Sequence, residues 1–325
     1  MPRDASTPAG ARVVTAVAPA KINLHLGVGD VRADGYHDLL TVYRAVDLWE
    51  QVTVSLDDAD DDSEVVVTGP GAPQVPTDRT NLAARAVDLL REEAGSDARI
   101  AIRIHKGVPV AGGMAGGSAD AAAALVATDR LLGLGLGRAA LEERAARLGS
   151  DVPFCIRGGT ALGTGRGEKL ATLLHARAEQ HIVVALADGG LSTPTVFAEF
   201  DRLRAERDPA DPERGLPRAG GVDPLVAALA GDDPAAVAGL LANDMEAAAL
   251  SLMPALRRTL RVGREAGALH GMVSGSGPTC LFFCTDRDHA IAVAAEISEH
   301  GVAREVRVTR GPVGGAHIVD DPTGK

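Results

Sequence analysis

The segment Pro109-Val-Ala-Gly-Gly-Met-Ala-Gly-Gly-Ser-Ala119 is the most informative stretch of this sequence. It follows an alternating strand pattern at 101–105 and precedes an Ala- and Leu-rich helix pattern at 119–132. Glycines let a ligand approach backbone N–H groups closely, and the N-terminus of a helix attracts anions. We therefore predict a phosphate-binding loop in which Ser118 either caps the helix or contacts phosphate.

A simpler interpretation is a tight strand-to-helix turn, which is the usual meaning of an isolated glycine cluster. This cluster is longer than such a turn needs. It lacks the Lys of the G-x-x-x-x-G-K-[ST] loop, and its glycines do not have the G-x-G-x-x-G spacing. Both common phosphate-binding superfamilies are therefore disfavoured.

The length and composition of the chain favour two packed domains of α+β class. The chain has 325 residues, of which 46% are hydrophobic and 2% aromatic, so Ala, Val, Leu and Ile must build the core. A new strand pattern at 181–186 suggests that a second domain begins after residue 172. We predict domains at 1–172 and 173–325.

The charge of the chain disfavours nucleic acid as a partner. Forty-four acidic and 33 basic residues give a formal net charge of -11, the wrong sign for binding a polyanion. An anionic substrate must find a local cationic or amide-lined pocket, which makes the few lysines informative. They are Lys21, Lys106, Lys169 and Lys325.

The three cysteines match no metal or redox spacing, and we interpret Cys155, Cys280 and Cys284 as buried, inert thiols. The sequence has no membrane-length apolar run and no signal-peptide pattern at its N-terminus. A cytoplasmic protein without a membrane partner is expected, either as a monomer or as a homodimer.

Hydrophobic periodicity predicts the remaining elements. Strands are expected at 11–28, 38–56 and 303–310, a strand and turn at 271–284, and helices at 81–94, 138–148, 224–242, 245–267 and 287–299. The acidic run 57–62 is interpreted as a solvated turn without a metal role, and 206–223 as a surface loop.

Lys21 and Asp151 are conspicuous for their surroundings. Lys21 lies in an apolar strand pattern, and a buried ammonium needs a partner. Asn23 is two residues further, hence on the same side of the strand. Asp151 precedes Pro153, which predicts a non-helical turn; an ordinary turn aspartate is the alternative.

Three separated motifs together resemble those of the GHMP small-molecule kinases. Pro19–Leu26 resembles the first motif, Pro109–Ala119 the second and Gly271–Thr279 the third, in the same order and at similar separations. The resemblance implies an N-terminal domain like the second domain of ribosomal protein S5 and a C-terminal ferredoxin-like domain. It also implies ATP, with Mg²⁺, in the cleft between them.

Within this family, Lys21–Asn23, Arg32–His37 and Gly149–Phe154 resemble a particular branch. That branch phosphorylates a cytidine-diphosphate-linked alcohol of the non-mevalonate isoprenoid pathway. The phosphate loop departs from the family pattern by carrying Ala111 and Ala115 in place of Gly, and Ala119 in place of a second Ser. None of these changes removes a group that the chemistry requires.

The resemblance assigns roles residue by residue. Asp151 is expected to be the catalytic base and Lys21 to pair with it beside the transferred phosphate. ATP is expected to contact Pro109, Val110, Ala111, Gly112, Gly113, Met114, Ala115, Gly116, Gly117, Ser118 and Ala119. The substrate is expected to contact Asn23, Tyr36, His37, Thr193 and Phe197, with the cytosine ring between Tyr36 and Phe197.

Alternatives remain open at this point. Phe197 is also compatible with the core of a helix beginning at Pro194, and His37 with a purely structural role in its loop. The position of Asp120 in the first helical turn is compatible with pointing away from phosphate or with meeting Mg²⁺. A kinase for mevalonate, homoserine or a sugar, or a nucleotide-binding protein without catalysis, would also keep the phosphate loop.

Overall fold

The alternating apolar residues of positions 13–56 form one long antiparallel ribbon in a computed structural model of the chain. Strand β1 (Val13–Val31) pairs with β2 (His37–Leu56) almost throughout, and residues 32–36 connect the two strands. The register shifts between Pro19 and Ala20 and again between Asn23 and His25. Such bulges re-aim side chains, and both lie in the first motif.

The structure describes residues 13–56, 65–110, 112–176, 178–206 and 220–319. The predicted acidic turn at 57–62, the predicted ATP contact Ala111 and most of the predicted loop at 206–223 lie outside the described residues.

The strands that follow the ribbon are short. They are β3 (Val65–Thr68), β4 (Ile100–His105), β5 (Thr160–Thr164), β6 (Lys169–Thr172), β7 (Gln180–Leu186), β8 (Ala242–Asn243), β9 (His270–Val273), β10 (Cys280–Cys284), β11 (Glu305–Gly311) and β12 (His317–Val319).

The helices pack on the two sheets that these strands form. They are α1 (Leu82–Glu93), α2 (Gly116–Leu132), α3 (Arg138–Leu148), α4 (Val152–Arg157), α5 (Thr193–Ala205), α6 (Asp223–Ala228), α7 (Pro234–Ala238), α8 (Glu246–Leu252), α9 (Leu256–Glu265) and α10 (Arg287–Glu299).

The first sheet has the order β12-β1-β2-β4-β3, with β5 and β6 attached to β2 and β8 attached to β1. The second has the order β11-β7-β10-β9. Two strands from beyond residue 172, β8 and β12, therefore join the first sheet. One apolar cluster lies between the first sheet and α1 to α4, a second between the two sheets, and a third between the second sheet and α9 and α10.

The two long helices predicted at 224–242 and 245–267 are wrong. The first region is divided into α6 and α7, with a turn before Pro234, and the second into α8 and α9, with a break at Pro254. Proline has no N–H to donate and clashes with the preceding turn, so it begins a helix more readily than it continues one. The Ala- and Leu-rich pattern masked these breaks.

The three cysteines are buried and unpaired, as predicted. Burial raises the pKa of each thiol above its ordinary value, and that of Cys280 to about 12. Burial and a raised pKa both disfavour the reactive thiolate at these cysteines. Among the described helices, none has the length and apolarity needed to cross a membrane.

Candidate active site

A cavity of about 560 Å³ brings the three motifs together. Its walls come from β1 and β2, the segment leading into α2, the first residues of α5 and the loop between β9 and β10. The predicted site residues that line it are Lys21, Asn23, Tyr36, His37, Pro109, Val110, Gly112, Gly113, Met114, Ala115, Gly116, Gly117, Ser118, Asp151, Thr193 and Phe197. Ala119 is not among them, because its methyl group packs into the apolar cluster beneath α2.

The glycine-rich loop ends at an uncapped helix N-terminus. Helix α2 begins at Gly116, three residues earlier than predicted, after Ala115 adopts the left-handed conformation with φ of 59°. No side chain caps the helix, so Ser118 lies inside the first turn instead of capping it. The first N–H groups of a helix have no partner within it and remain available to an anion.

The third motif packs against this loop. Gly113 has φ of 70°, and a Cβ there would lie 2.4 Å from the carbonyl oxygen of Ser274, so only glycine fits. The side-chain amide of Asn243 donates to the carbonyl oxygens of Val273 and Gly275, both at 2.8 Å. Sequence reasoning missed Asn243, which orders this motif from a distant element.

Lys21 and Asp151 form the predicted pair. The Lys21 ammonium lies 3.5 Å from Oδ2 of Asp151 and donates to Oδ1 of Asn23 at 2.8 Å. Asn23 in turn donates to the Thr41 hydroxyl at 2.7 Å. The backbone N–H of Lys21 also donates to the carbonyl oxygen of Met114 at 3.2 Å, which ties β1 to the phosphate loop. Lys21 is thus fixed in position beside the loop.

Asp151 lies in the predicted turn, which leads directly into α4. Its backbone is helical, with φ of -87° and ψ of -14°, since Pro153 falls in the first helical turn, where a missing N–H has no cost. Its side chain makes no capping hydrogen bond and reaches the cavity. Oδ1 accepts a hydrogen bond from the Tyr43 hydroxyl at 3.2 Å.

Tyr43 is a site residue that sequence reasoning missed. It is buried opposite Asn23 in the β1–β2 register, and the Lys21 ammonium lies 5.4 Å from the centre of its ring. Burial, and then the charge of Asp151, raise the pKa of the Tyr43 phenol well above its ordinary value. The phenol therefore stays protonated and donates. Its rarity was an available signal, since the chain has only two tyrosines.

A second cluster of charges lies under the phosphate loop, and we call it the buried triad: Lys106, Glu50 and Asp120. The Lys106 ammonium lies 2.6 Å from Oε1 of Glu50 and 2.5 Å from Oδ2 of Asp120. Asp120 thus meets a lysine, a partner that the alternatives above did not include. Burial, and then the charge of Asp120, raise the pKa of Glu50 to about 7.

Aromatic side chains line the cavity near the β1–β2 loop. His37 and Phe197 stack with ring centres 4.9 Å apart, and His37 Nε2 lies 2.9 Å from Oδ1 of Asp201. Tyr36 is exposed, and the Arg166 guanidinium lies 5.0 Å from the centre of its ring. Phe197 is half-buried on α5, so it packs on its helix and still reaches the cavity.

The contact between Thr193 and the third motif closes this side of the cavity. The Thr193 hydroxyl lies 3.0 Å from that of Ser276. Both residues line the cavity, and Thr193 is the first residue of α5. The α5 segment and the third motif are therefore in contact at the edge of the cavity.

Known proteins are similar to this chain in sequence over nearly its whole length. The family model described as GHMP kinases N terminal domain matches residues 81–159, and the one described as GHMP kinases C terminal matches 225–303. A 4-diphosphocytidyl-2-C-methyl-D-erythritol kinase from Nocardia farcinica is 57% identical over 93% of this chain and 95% of its own length. One from Mycolicibacterium smegmatis is 55% identical over 95% of this chain and 94% of its own length.

Solved structures agree at the level of the fold. A crystal structure of 4-(cytidine 5'-diphospho)-2C-methyl-D-erythritol kinase matches with a TM-score of 0.70 and 30% identity, covering 92% of this chain and 100% of its own. A homoserine kinase from Cytophaga hutchinsonii matches with a TM-score of 0.74 at 18% identity, covering 97% and 100%. The second likeness concerns the fold alone.

The fold and the three converging motifs define an ATP-dependent small-molecule kinase of the GHMP class. At this level of identity over nearly the whole chain, the protein belongs to the 4-diphosphocytidyl-2-C-methyl-D-erythritol kinase family of the GHMP kinases.

Proposed function

We propose that this chain transfers the γ-phosphoryl group of ATP to the 2-hydroxyl of 4-diphosphocytidyl-2-C-methyl-D-erythritol, a step of non-mevalonate isoprenoid synthesis. The observation that carries the proposal is the Lys21–Asp151 pair, held 3.5 Å apart beside an uncapped helix N-terminus. A carboxylate next to a cation and an anion cradle is the arrangement that phosphoryl transfer needs.

The pair divides the chemistry between a base and a cation. The substrate oxygen attacks the γ-phosphorus, the bond from that phosphorus to the bridging oxygen breaks, and ADP leaves. The hydroxyl proton passes to the Asp151 carboxylate, which its contacts with Lys21 and Tyr43 orient. The Lys21 ammonium offsets the negative charge on the transferred group.

The phosphates of ATP are proposed to lie against the first turn of α2, where backbone N–H groups face the cavity. The adenine end is proposed to contact the apolar wall of Val75, Pro76 and Val110. The wall with Tyr36 and Phe197 then remains for the cytosine of the substrate. ATP and substrate meet at Asp151.

Mg²⁺ is proposed to enter with the phosphates of ATP. The cavity carboxylates Asp120 and Asp151 each contact a lysine, and no group of three or more potential metal ligands forms within the described ranges. This donor set fits an ion held mainly by phosphate oxygens and water, as is usual for Mg²⁺. When bound, the ion would neutralise phosphate charge.

An acceptor panel tests the proposal. The purified protein is incubated with ATP, Mg²⁺ and one of four acceptors: the diphosphocytidyl substrate, mevalonate, homoserine or galactose. ADP release is then followed for each. Turnover confined to the diphosphocytidyl compound is expected, because only it uses the aromatic wall. Preferred turnover of another acceptor would contradict the assignment.

A further inference from the structure

Arg166 is a cationic residue of the cavity that neither the motifs nor the proposed mechanism uses. It lies in the turn Gly165-Arg166-Gly167 between β5 and β6 and lines the cavity. The lysines that line the cavity are Lys21 and Lys106, and both contact carboxylates. Across the described ranges, the Arg166 guanidinium forms no ion pair; it lies over the Tyr36 ring. It is the uncompensated positive charge of this cavity.

The turn that carries Arg166 is fixed on both sides. The carbonyl oxygen of Gly165 accepts from the N–H of Leu39, just after the Tyr36–His37 segment. A Cβ at Gly167 would lie 2.2 Å from the Tyr43 hydroxyl, the group that donates to Asp151. Arg166 therefore stands between the aromatic wall and the transfer site.

We infer that Arg166 binds the diphosphate of a substrate in which a nucleoside diphosphate is linked to the phosphoryl acceptor. The inference rests on the proposed function. A substrate with its base at Tyr36 and its hydroxyl at Asp151 must carry the diphosphate past the turn between them. A planar guanidinium offers two parallel N–H donors to phosphate oxygens, and stacking on an aromatic ring orients it in advance.

The role differs from that of the phosphate loop. The loop is proposed to bind ATP through backbone N–H groups, whereas Arg166 belongs to another strand pair on the substrate side. Arg166 makes a specificity contact and takes no part in proton transfer. Its loss should therefore raise the KM for the diphosphocytidyl substrate and leave the KM for ATP unchanged.

Binding of cytidine and of cytidine diphosphate tests the inference. The proteins are the parent, Arg166→Met, Arg166→Lys and the control Lys169→Ala, which removes an exposed charge from the same hairpin. Hydrogen bonds to charged groups predict that Arg166→Met loses about 10- to 100-fold in affinity for cytidine diphosphate while its affinity for cytidine is nearly kept. Arg166→Lys should retain part of the preference, and Lys169→Ala all of it.

Two results for Arg166→Met would overturn the inference. Equal losses for both ligands in Arg166→Met would show that Arg166 only supports the Tyr36 ring, and no loss would show that it does not meet the diphosphate; either result overturns the inference. A thermal melt of each variant identifies a folding defect. If Arg166→Met is misfolded, Arg166→Lys decides the test. In that variant, reduced affinity for cytidine with an unchanged preference for cytidine diphosphate contradicts the inference. A parent that binds neither ligand and does not turn over the diphosphocytidyl substrate would overturn the proposed function itself.

Discussion

Two lysine–carboxylate clusters flank the phosphate loop, and they differ chiefly in exposure. In the first, the side chains of Lys21 and Asp151 are 9% and 30% exposed. In the buried triad, those of Lys106, Glu50 and Asp120 are 2%, 0% and 3% exposed. Asp120 and Asp151 both border the cavity, but only Asp151 has the exposure that contact with a substrate hydroxyl requires. We therefore propose a chemical role for the first cluster and structural support for the second.

The largest expected effect concerns the exposed carboxylate. Asp151→Asn keeps the shape of the side chain and removes its charge and basicity, so kcat should fall by about 10²- to 10⁴-fold. The affinity for ATP and the thermal midpoint should stay near those of the parent, because the variant does not touch the loop. Steady-state kinetics and nucleotide binding measure both. Turnover close to that of the parent would remove Asp151 from the mechanism.

The buried triad should make the stability of the protein depend on pH through Glu50. A folded-state pKa of about 7 for Glu50 exceeds its ordinary value, so the folded state binds the proton more tightly. That stability is fully present below the ordinary pKa and is lost as pH rises to about 7. Parent and Glu50→Gln should thus unfold at similar urea concentrations at low pH, whereas at pH 8 the variant should be the more stable of the two. Urea titrations at both pH values measure this; a difference that does not change with pH would contradict it.

Substitutions at two neighbouring glycines should show whether the phosphate loop packs against the buried triad. A Cβ at Gly116 would lie 3.0 Å from Oε1 of Glu50 and 3.5 Å from the Lys106 ammonium, whereas one at Gly117 would meet only Leu82, at 3.8 Å. Gly116→Val should therefore cost about 1–3 kcal/mol of unfolding free energy, as overpacking does. Gly117→Val is the matched control and should cost less. Equal losses of stability in Gly116→Val and Gly117→Val would contradict close packing between residue 116 and the triad.

The aromatic wall should affect binding without touching either cluster. Tyr36→Ala and Phe197→Ala should each raise the KM for the diphosphocytidyl substrate by about 10- to 100-fold, the usual worth of a stacked base. The kcat at saturating substrate and the KM for ATP should stay near those of the parent. The double variant should lose less than the sum if both rings clamp one base. An unchanged KM in Tyr36→Ala would remove the cytosine assignment.

The sequence predicted the parts of the site that depend on local pattern. The glycine loop before α2, the shared face of Lys21 and Asn23, and the pairing of Lys21 with Asp151 are all present. Each depends on strand periodicity, on glycine conformation or on the cost of an unpaired buried charge. The resemblance to the GHMP kinases added the expectation that these parts lie in one cleft.

The parts that were missed depend on tertiary contacts. Tyr43 reaches Asp151, Asn243 holds the third motif and Glu50 meets Lys106 across long sequence separations, which periodicity does not encode. The return of β12 to the first sheet is another such contact. The breaks at Pro234 and Pro254 are local, and they were missed because the Ala- and Leu-rich pattern around them outweighed the proline signal. The fold itself does not select the substrate, because a homoserine kinase matches with a TM-score of 0.74.

The same substitution at the two lysines tests the central claim most directly, because it contrasts the two clusters in one experiment. For Lys21→Met and Lys106→Met, kcat and the unfolding free energy are measured side by side. Lys21→Met should lose about 10²- to 10³-fold in kcat with a small loss of stability, since Asp151 stays partly solvated. Lys106→Met leaves two carboxylates buried without a cation and should lose about 3–5 kcal/mol of unfolding free energy. If Lys21→Met keeps its turnover, or if Lys106→Met is as stable as the parent, the division between a catalytic and a structural cluster is wrong.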